Sequence, residues 1–295
     1  MPGRPGAEVP AESTLAVVGA GAMGSQIAYQ AALHGHDVRL ISRSDDRLRA
    51  ARAASEALLR RRVEKGTLDG DACEAALGRV TMGSEFDALA GAGTIIESVA
   101  EDRDIKREVY ARICGHADDT AIIGTNSSTL ASSLLENAVT HPERFLNIHF
   151  FNPALLMALV EVVPGPHTAE DTVVRAMEFA RAIGKTPVRL AREEFGFIAN
   201  RILFIAVQEA MRLVQGGYIS VEDCDLAVRN ALGWPMGPFQ LSDLVGLDVV
   251  EAILDEGFRQ TGDQRWEPVE MLRELVAQGR LGRKTGGGFL TGMAQ

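Results

Sequence analysis

The segment NIHFFNPALLMALVEVV, residues 147 to 163, sets an imidazole and a carboxylate where they can share a proton. His149 falls at the end of one predicted strand and Glu161 within the next. Imidazole titrates near neutral pH, so His149 can take a hydroxyl proton while hydride leaves the same carbon. A carboxylate on the other ring nitrogen fixes the tautomer and stabilises the charged ring. Such a pair suits an enzyme that oxidises an alcohol by hydride transfer. Taken alone, a histidine beside a strand better suits a satisfied structural role.

Gly19, Gly21 and Gly24 make GxGxxG directly after one predicted strand, Leu15 to Val18, and directly before a helical stretch, Met23 to Leu33. Backbone lacking side chains can approach a pyrophosphate there, and the positive end of the helix favours its charge. In this setting the motif predicts a dinucleotide site rather than a merely structural turn. The next strand, Val38 to Ile41, is followed by Ser42, Arg43 and Ser44. A carboxylate at that point would bond both adenosine ribose hydroxyls of NAD, whereas a guanidinium beside hydroxyls pairs with a 2'-phosphate. NADP is therefore favoured over NAD, with Ser42 and Arg43 as its contacts. The alternative is that Arg43 stacks on adenine while NAD binds. Asp45 and Asp46 fit better as the cap and first turn of the following helix than as ribose acceptors.

These groups must be held by a sheet. Buried strand candidates recur at Thr94 to Ile96, Ala121 to Gly124, Leu146 to Phe150, Leu159 to Val163 and Pro187 to Leu190, with helical stretches between several of them. The alternation predicts an α/β, Rossmann-like, doubly wound sheet, mostly parallel and covered on both faces. Two helices joined at Lys65 to Asp69 form a hairpin inserted after the second strand. Beyond Arg192 only helices are expected, at Phe197 to Val214, Val221 to Leu232 and Met271 to Gln278. The domains are thus a cofactor-binding one over 13–193 and an all-α one over 194–295. The first dozen residues, with three Pro and two Gly, read as a flexible tail.

Composition excludes several classes. A formal charge of −10 argues against nucleic acid, whose binding rests on phosphate attraction. No apolar run approaches the roughly 20 residues that span a bilayer, and the opening lacks a secretory signal, so a cytoplasmic protein with no membrane partner is expected. Three scattered cysteines offer neither a disulfide framework nor a metal cluster.

Ordered along residues 13 to 288 stand GAGAMG at 19–24, VEKGTL at 63–68, ESVAED at 97–102, TNSSTL at 125–130 and HFFNP at 149–153. LVEVV at 159–163, GFIANRIL at 196–203, GWPMGPFQLSDLVGLD at 233–248 and GRKTGGGF at 282–289 continue the series. With these motifs the chain resembles the short-chain L-3-hydroxyacyl-CoA dehydrogenases, bacterial 3-hydroxybutyryl-CoA dehydrogenases among them. The resemblance implies that His149 is the general base and Glu161 its orienting carboxylate. It makes Ser128 a hydroxyl on the substrate oxygen and Asn200 an amide near the thioester and the histidine. Met23, within the glycine turn, and Glu101, Lys106, Asn126 and Lys284 match residues around the cofactor, although Glu101 and Lys106 could be an ordinary surface pair. A homodimer formed through the helical domain is also implied. In the family the helical hairpin lies near the CoA, so Arg60 and Lys65, from the cluster Arg60, Arg61, Arg62 and Lys65, are candidate phosphate contacts; a solvated helix face is the alternative.

Three departures stand out. An acidic residue is common in the family where Ser42 stands; NPVPVMKLVEV becomes NPALLMALVEV; and GEGFY becomes GGGFL at 286–290. Rival functions are a sugar-acid dehydrogenase of the gulonate type, a dehydrogenase of carrier-protein thioesters, and a cofactor-binding protein without turnover. The first is disfavoured by the HFFNP and GRKTGGGF forms, the last by the joint presence of His149, Glu161, Ser128 and Asn200.

Overall fold

Four consecutive apolar residues, Leu15–Val18, start the sheet as strand β1, buried along its whole length. Strands covered on both faces need no polar alternation, which is why this one reads as a plain apolar run. Helix α1 (Ala22–Leu33) buries every residue from Gly24 to Ala32. Strand β2 (Val38–Ile41) completes the βαβ unit. In this computed structural model residues 14–290 are described, and the expected N-terminal tail lies outside them.

The hairpin consists of α2 (Asp45–Glu64) and α3 (Gly70–Arg79), each begun by a side-chain cap. The Ser44 hydroxyl accepts from the Arg47 N–H at 3.3 Å and the Asp69 carboxylate from the Ala72 N–H at 3.1 Å. The cap of α2 is therefore Ser44, not Asp45; both aspartates lie in the first turn, where their charge complements the helix end. A strand not expected from sequence follows, β3 (Val80–Gly83), pairing in parallel with β2. Its missing signal is physical: at the sheet edge only Val80 is buried.

Then come β4 (Thr94–Glu97), α4 (Arg103–His116), β5 (Ile122–Thr125), β6 (Phe145–Phe150), β7 (Leu159–Pro164), α5 (Glu170–Ala182) and β8 (Thr186–Arg189). The eight strands order as β3-β2-β1-β4-β5-β6-β7-β8. Pairing is parallel throughout except at β6 and β7, which run antiparallel. Side chains alternate between two hydrophobic clusters. One holds Val17, Leu40, Ile96 and Ile148 against α1, α2, α3 and α5; the other holds Val18, Ile95, Ile123 and Phe145 against α4. The sheet is thus covered on both faces, and each fully buried Leu or Ile contributes about 1.5–3 kcal/mol.

The chain divides after Glu193 into two units. Among its described residues the second holds helices α6 (Ala199–Gln215), α7 (Val221–Leu232), α8 (Pro238–Val245), α9 (Leu247–Thr261) and α10 (Glu270–Ala277), besides short single turns and an isolated bridge between Gly282 and Gly287. They enclose Phe204, Met211, Phe239, Leu254 and the fully buried Trp266. Helices α8 and α9 were not anticipated, although Pro238 in the first turn of α8 is a start signal. Two buried acids secure the bundle. Asp225 accepts the Phe239 and Gln240 N–H groups at the start of α8, and Asp243 accepts those of Phe289 and Leu290.

Candidate functional site

The glycines of the turn after β1 divide by what surrounds them. At Gly24 a Cβ would overlap the Gly19 carbonyl oxygen, and at Gly19, where φ is +118°, it would overlap the Ser98 carbonyl. Those two serve packing. Around Gly21 nothing lies within 4 Å of a Cβ position, so the backbone there faces open space. No side chain caps α1 and no acid occupies its first turn, leaving the helix start for an anion. A cleft of about 580 Å³ opens at this point, lined by the turn with Met23, by Ser42 and Arg43, and by Glu101, Asn126 and Ser128. It lies beyond the carboxyl ends of β1 and β4, where strand order reverses, the usual place for a nucleotide in an open parallel sheet. The residues present fit a dinucleotide. We expect Gly21→Ala to hold its melting midpoint, within about 0.5 kcal/mol, yet weaken dinucleotide binding about tenfold by crowding the pyrophosphate. Gly24→Ala should instead lose about 1–3 kcal/mol of stability through overpacking. Thermal melts with and without dinucleotide separate the two.

Past the end of β2, the Ser42 N–H donates to the Gly83 carbonyl at 3.0 Å, which fixes where the next side chains stand. Arg43 is exposed, and Arg47 of α2 lines the same cleft. Of the nearby acids, Asp46 is engaged by Arg49.

His149 and Glu161 are direct cross-strand partners in the β6–β7 ladder, so their side chains leave the same face. Nδ1 of the ring and Oε2 of the carboxylate stand 2.9 Å apart, with His149 only 4% and Glu161 1% exposed. A carboxylate accepts hydrogen bonds only, so the ring carries its proton on Nδ1 and its basic lone pair on Nε2. One residue further, the Phe150 N–H donates to Asn126 Oδ1 at 2.9 Å, which ties the strand of the base to a wall of the cleft. The connecting loop is held from below by Lys185, whose ammonium donates to the Ala154 and Met157 carbonyls at 2.5 and 2.8 Å. Burial pulls this ammonium down to about 8, and the Arg62 charge pushes the same way.

Ser128 is half-buried in the segment after β5 and lines the cleft. Glu101 grips both of its neighbours, accepting from the Ser127 hydroxyl and from the Thr129 N–H and hydroxyl at 3.1 and 2.8 Å. Burial pushes the Glu101 carboxyl up, but the Lys106 ammonium and these hydrogen bonds outweigh it and hold the group below its ordinary range. From the other side, Asn147 of β6 donates to the Ser127 and Leu130 carbonyls at 3.2 and 3.1 Å. The segment of Ser128 and the strand of His149 are therefore bonded together.

Lys106 is no ordinary surface residue. Only 1% exposed, it sits on Glu97, which sequence reasoning did not single out. The available signal was a carboxylate closing the apolar strand Thr94–Glu97, since buried acids are rarely without a partner. Arg60 also differs from expectation: it bridges the hairpin to Glu56 and Glu74 at 2.8 and 2.9 Å, which answers its charge locally. Lys65 is exposed at the C-cap of α2.

In the helical unit, Asn200 lies in the first turn of α6, just after Gly196 and Phe197, both with positive φ (+73° and +49°). Lys284 pairs with Asp248 at 2.5 Å, near the start of α9. The Lys284 contact could not be read from local sequence, because its partner is 36 residues away along the chain.

Residues 14–194 match the family described as 3-hydroxyacyl-CoA dehydrogenase, NAD binding domain, and residues 196–292 match 3-hydroxyacyl-CoA dehydrogenase, C-terminal domain. Mitochondrial hydroxyacyl-coenzyme A dehydrogenase of Sus scrofa is 36% identical over 281 residues, covering 92% of this chain and 89% of that one. A 3-hydroxybutyryl-CoA dehydrogenase of Bradyrhizobium diazoefficiens is 36% identical, covering 92% and 93%. The crystal structure of (S)-3-hydroxybutyryl-CoA dehydrogenase from Ralstonia eutropha superposes with a TM-score of 0.91 at 32% identity, covering 96% of this chain and 99% of that one. With both halves matched in order and the imidazole, carboxylate and glycine turn in one unit, the chain belongs to the 3-hydroxyacyl-CoA dehydrogenase family.

Proposed function

We propose that this protein interconverts a short (3S)-3-hydroxyacyl-CoA and its 3-oxoacyl form, such as 3-hydroxybutyryl-CoA and acetoacetyl-CoA, and prefers NADP to NAD. Family membership makes it an oxidoreductase of such thioesters; chain length, cofactor preference and residue roles go further. When bound, the nicotinamide supplies the hydride acceptor or donor. Nε2 of His149 takes the proton of the C3 hydroxyl, and Glu161 steadies the imidazolium that results. The Ser128 hydroxyl donates to the same substrate oxygen, which helps as that oxygen gains charge in the reverse direction. Asn200 is assigned to the thioester, and Lys65 rather than the paired Arg60 to the CoA phosphates. The observation that carries this reading is the buried 2.9 Å contact between His149 and Glu161 on a strand bonded to the cleft wall.

Exposed Ile202, Tyr218, Leu226 and Leu232 in the helical unit support a homodimer through that unit, whose mass in solution sedimentation equilibrium would read directly. Free cysteines at 73, 114 and 224 accord with a cytoplasmic setting, and among the described residues no helix is long and apolar enough to cross a membrane. The test of function is turnover of acetoacetyl-CoA with NADPH and with NADH, beside gulonate and an acetoacetyl carrier protein. Faster turnover of gulonate than of acetoacetyl-CoA would overturn the thioester assignment.

A further inference from the structure

A carboxylate buried as deeply as Glu97, which is 0% exposed, must have its lone pairs answered, and here they are. Oε1 accepts from the Val99 N–H at 2.7 Å and from Lys106 Nζ at 2.8 Å. Oε2 accepts from Lys106 Nζ at 3.0 Å, the Tyr110 hydroxyl at 2.6 Å and the Thr125 hydroxyl at 2.9 Å. Lys106 in turn lies 3.4 Å from Glu101 Oε2. The ammonium donates to both oxygens of Glu97 and stands at ion-pair distance from Glu101. Lys106 thus ties the two acids together at the wall of the cleft.

Two lines of contact lead from Glu97 to the same place. The first runs through Lys106 to Glu101, which holds Ser127 and Thr129 on either side of Ser128. The second runs through the Thr125 hydroxyl, which also accepts the Ser127 N–H at 3.3 Å. Strand alternation explains the convergence: Glu97 follows Ile95, and Thr125 follows Ile123, by two residues, so both face the α4 side.

We infer that Glu97 is a positioning residue, whose buried carboxylate sets the place of Ser128 through Lys106 and Glu101 on one side and Thr125 on the other. This rests on the reading of Ser128 as a substrate contact. A displacement of a hydroxyl by a fraction of an ångström is enough to slow a reaction without altering what binds.

The test is a double-mutant cycle on the full-length chain, with Glu97→Gln, Thr125→Val and Ser128→Ala alone and combined, reading kcat and both KM values with acetoacetyl-CoA. Glu97→Gln should lower kcat about tenfold and Thr125→Val about threefold, with less change in the dinucleotide KM. On the Ser128→Ala background each should lower kcat by less than about twofold further. A merely structural role predicts effects on kcat that multiply on that background, and this result would overturn the inference. Should Glu97→Gln not fold, Thr125→Val carries the cycle. If Ser128→Ala alone leaves turnover unchanged, the reading of Ser128 falls, and the inference with it.

Discussion

His149→Gln should lower kcat about a thousandfold while leaving the fold and dinucleotide binding in place. The choice of glutamine follows from the burial of the pair. Alanine would strand the Glu161 carboxylate, which is 1% exposed, and removing one partner of a buried charge pair costs about 3–5 kcal/mol. A glutamine amide can still donate to Glu161 but cannot accept a proton near neutral pH, so the loss isolates the base from the scaffold. The loss should fall on kcat with KM nearly unchanged, since the ring acts on the proton in flight rather than on ground-state binding. Steady-state turnover of acetoacetyl-CoA, a thermal melt and quenching of NADPH fluorescence measure the three quantities. A variant that folds, binds and retains more than about a tenth of wild-type kcat would remove His149 from its role.

What the sequence made legible depended on distance along the chain. The first βαβ unit was plain because periodicity, the glycine turn and the polar break after Ile41 are local signals. Pairing of His149 with Glu161 was nearly local, since adjacent strands of the same ladder carry them. Other features depend on packing that no local pattern announces. Strand β3 depends on pairing with β2 beside it. Arg60 read as a candidate phosphate contact in a cluster of cations, and nothing local reveals that Glu74, on the facing helix, stands within 2.9 Å. Lys106 read as a surface or cofactor residue because nothing in the stretch after Glu101 reveals that Glu97 waits beneath it. The same holds for Asn147, which joins the Ser128 segment to the strand of the base through side-chain bonds to distant carbonyls. Sequence thus indicated the groups proposed to meet substrate more readily than those that fix their positions.

The second large effect concerns the cofactor. NADPH should bind about a hundredfold more tightly than NADH, because a 2'-phosphate would meet Arg43, and Arg47 on the same wall, where NAD would offer only a hydroxyl. Each charge-assisted hydrogen bond contributes about 1.5–3 kcal/mol, so two of them exceed what solvent screening at this exposed edge removes. Arg43→Ala should weaken NADPH about tenfold and NADH by less than about twofold. Ser42→Asp should reverse the order, since a carboxylate at the end of β2 repels the phosphate and accepts from both ribose hydroxyls. Raising salt should weaken NADPH more steeply than NADH in the wild type, and the difference should shrink in Arg43→Ala, where only Arg47 is left. Fluorescence titrations of the three proteins with both cofactors decide the matter: equal losses for both cofactors in Arg43→Ala, together with tighter NADH binding in the wild type, would place the guanidinium on adenine and make NAD the cofactor.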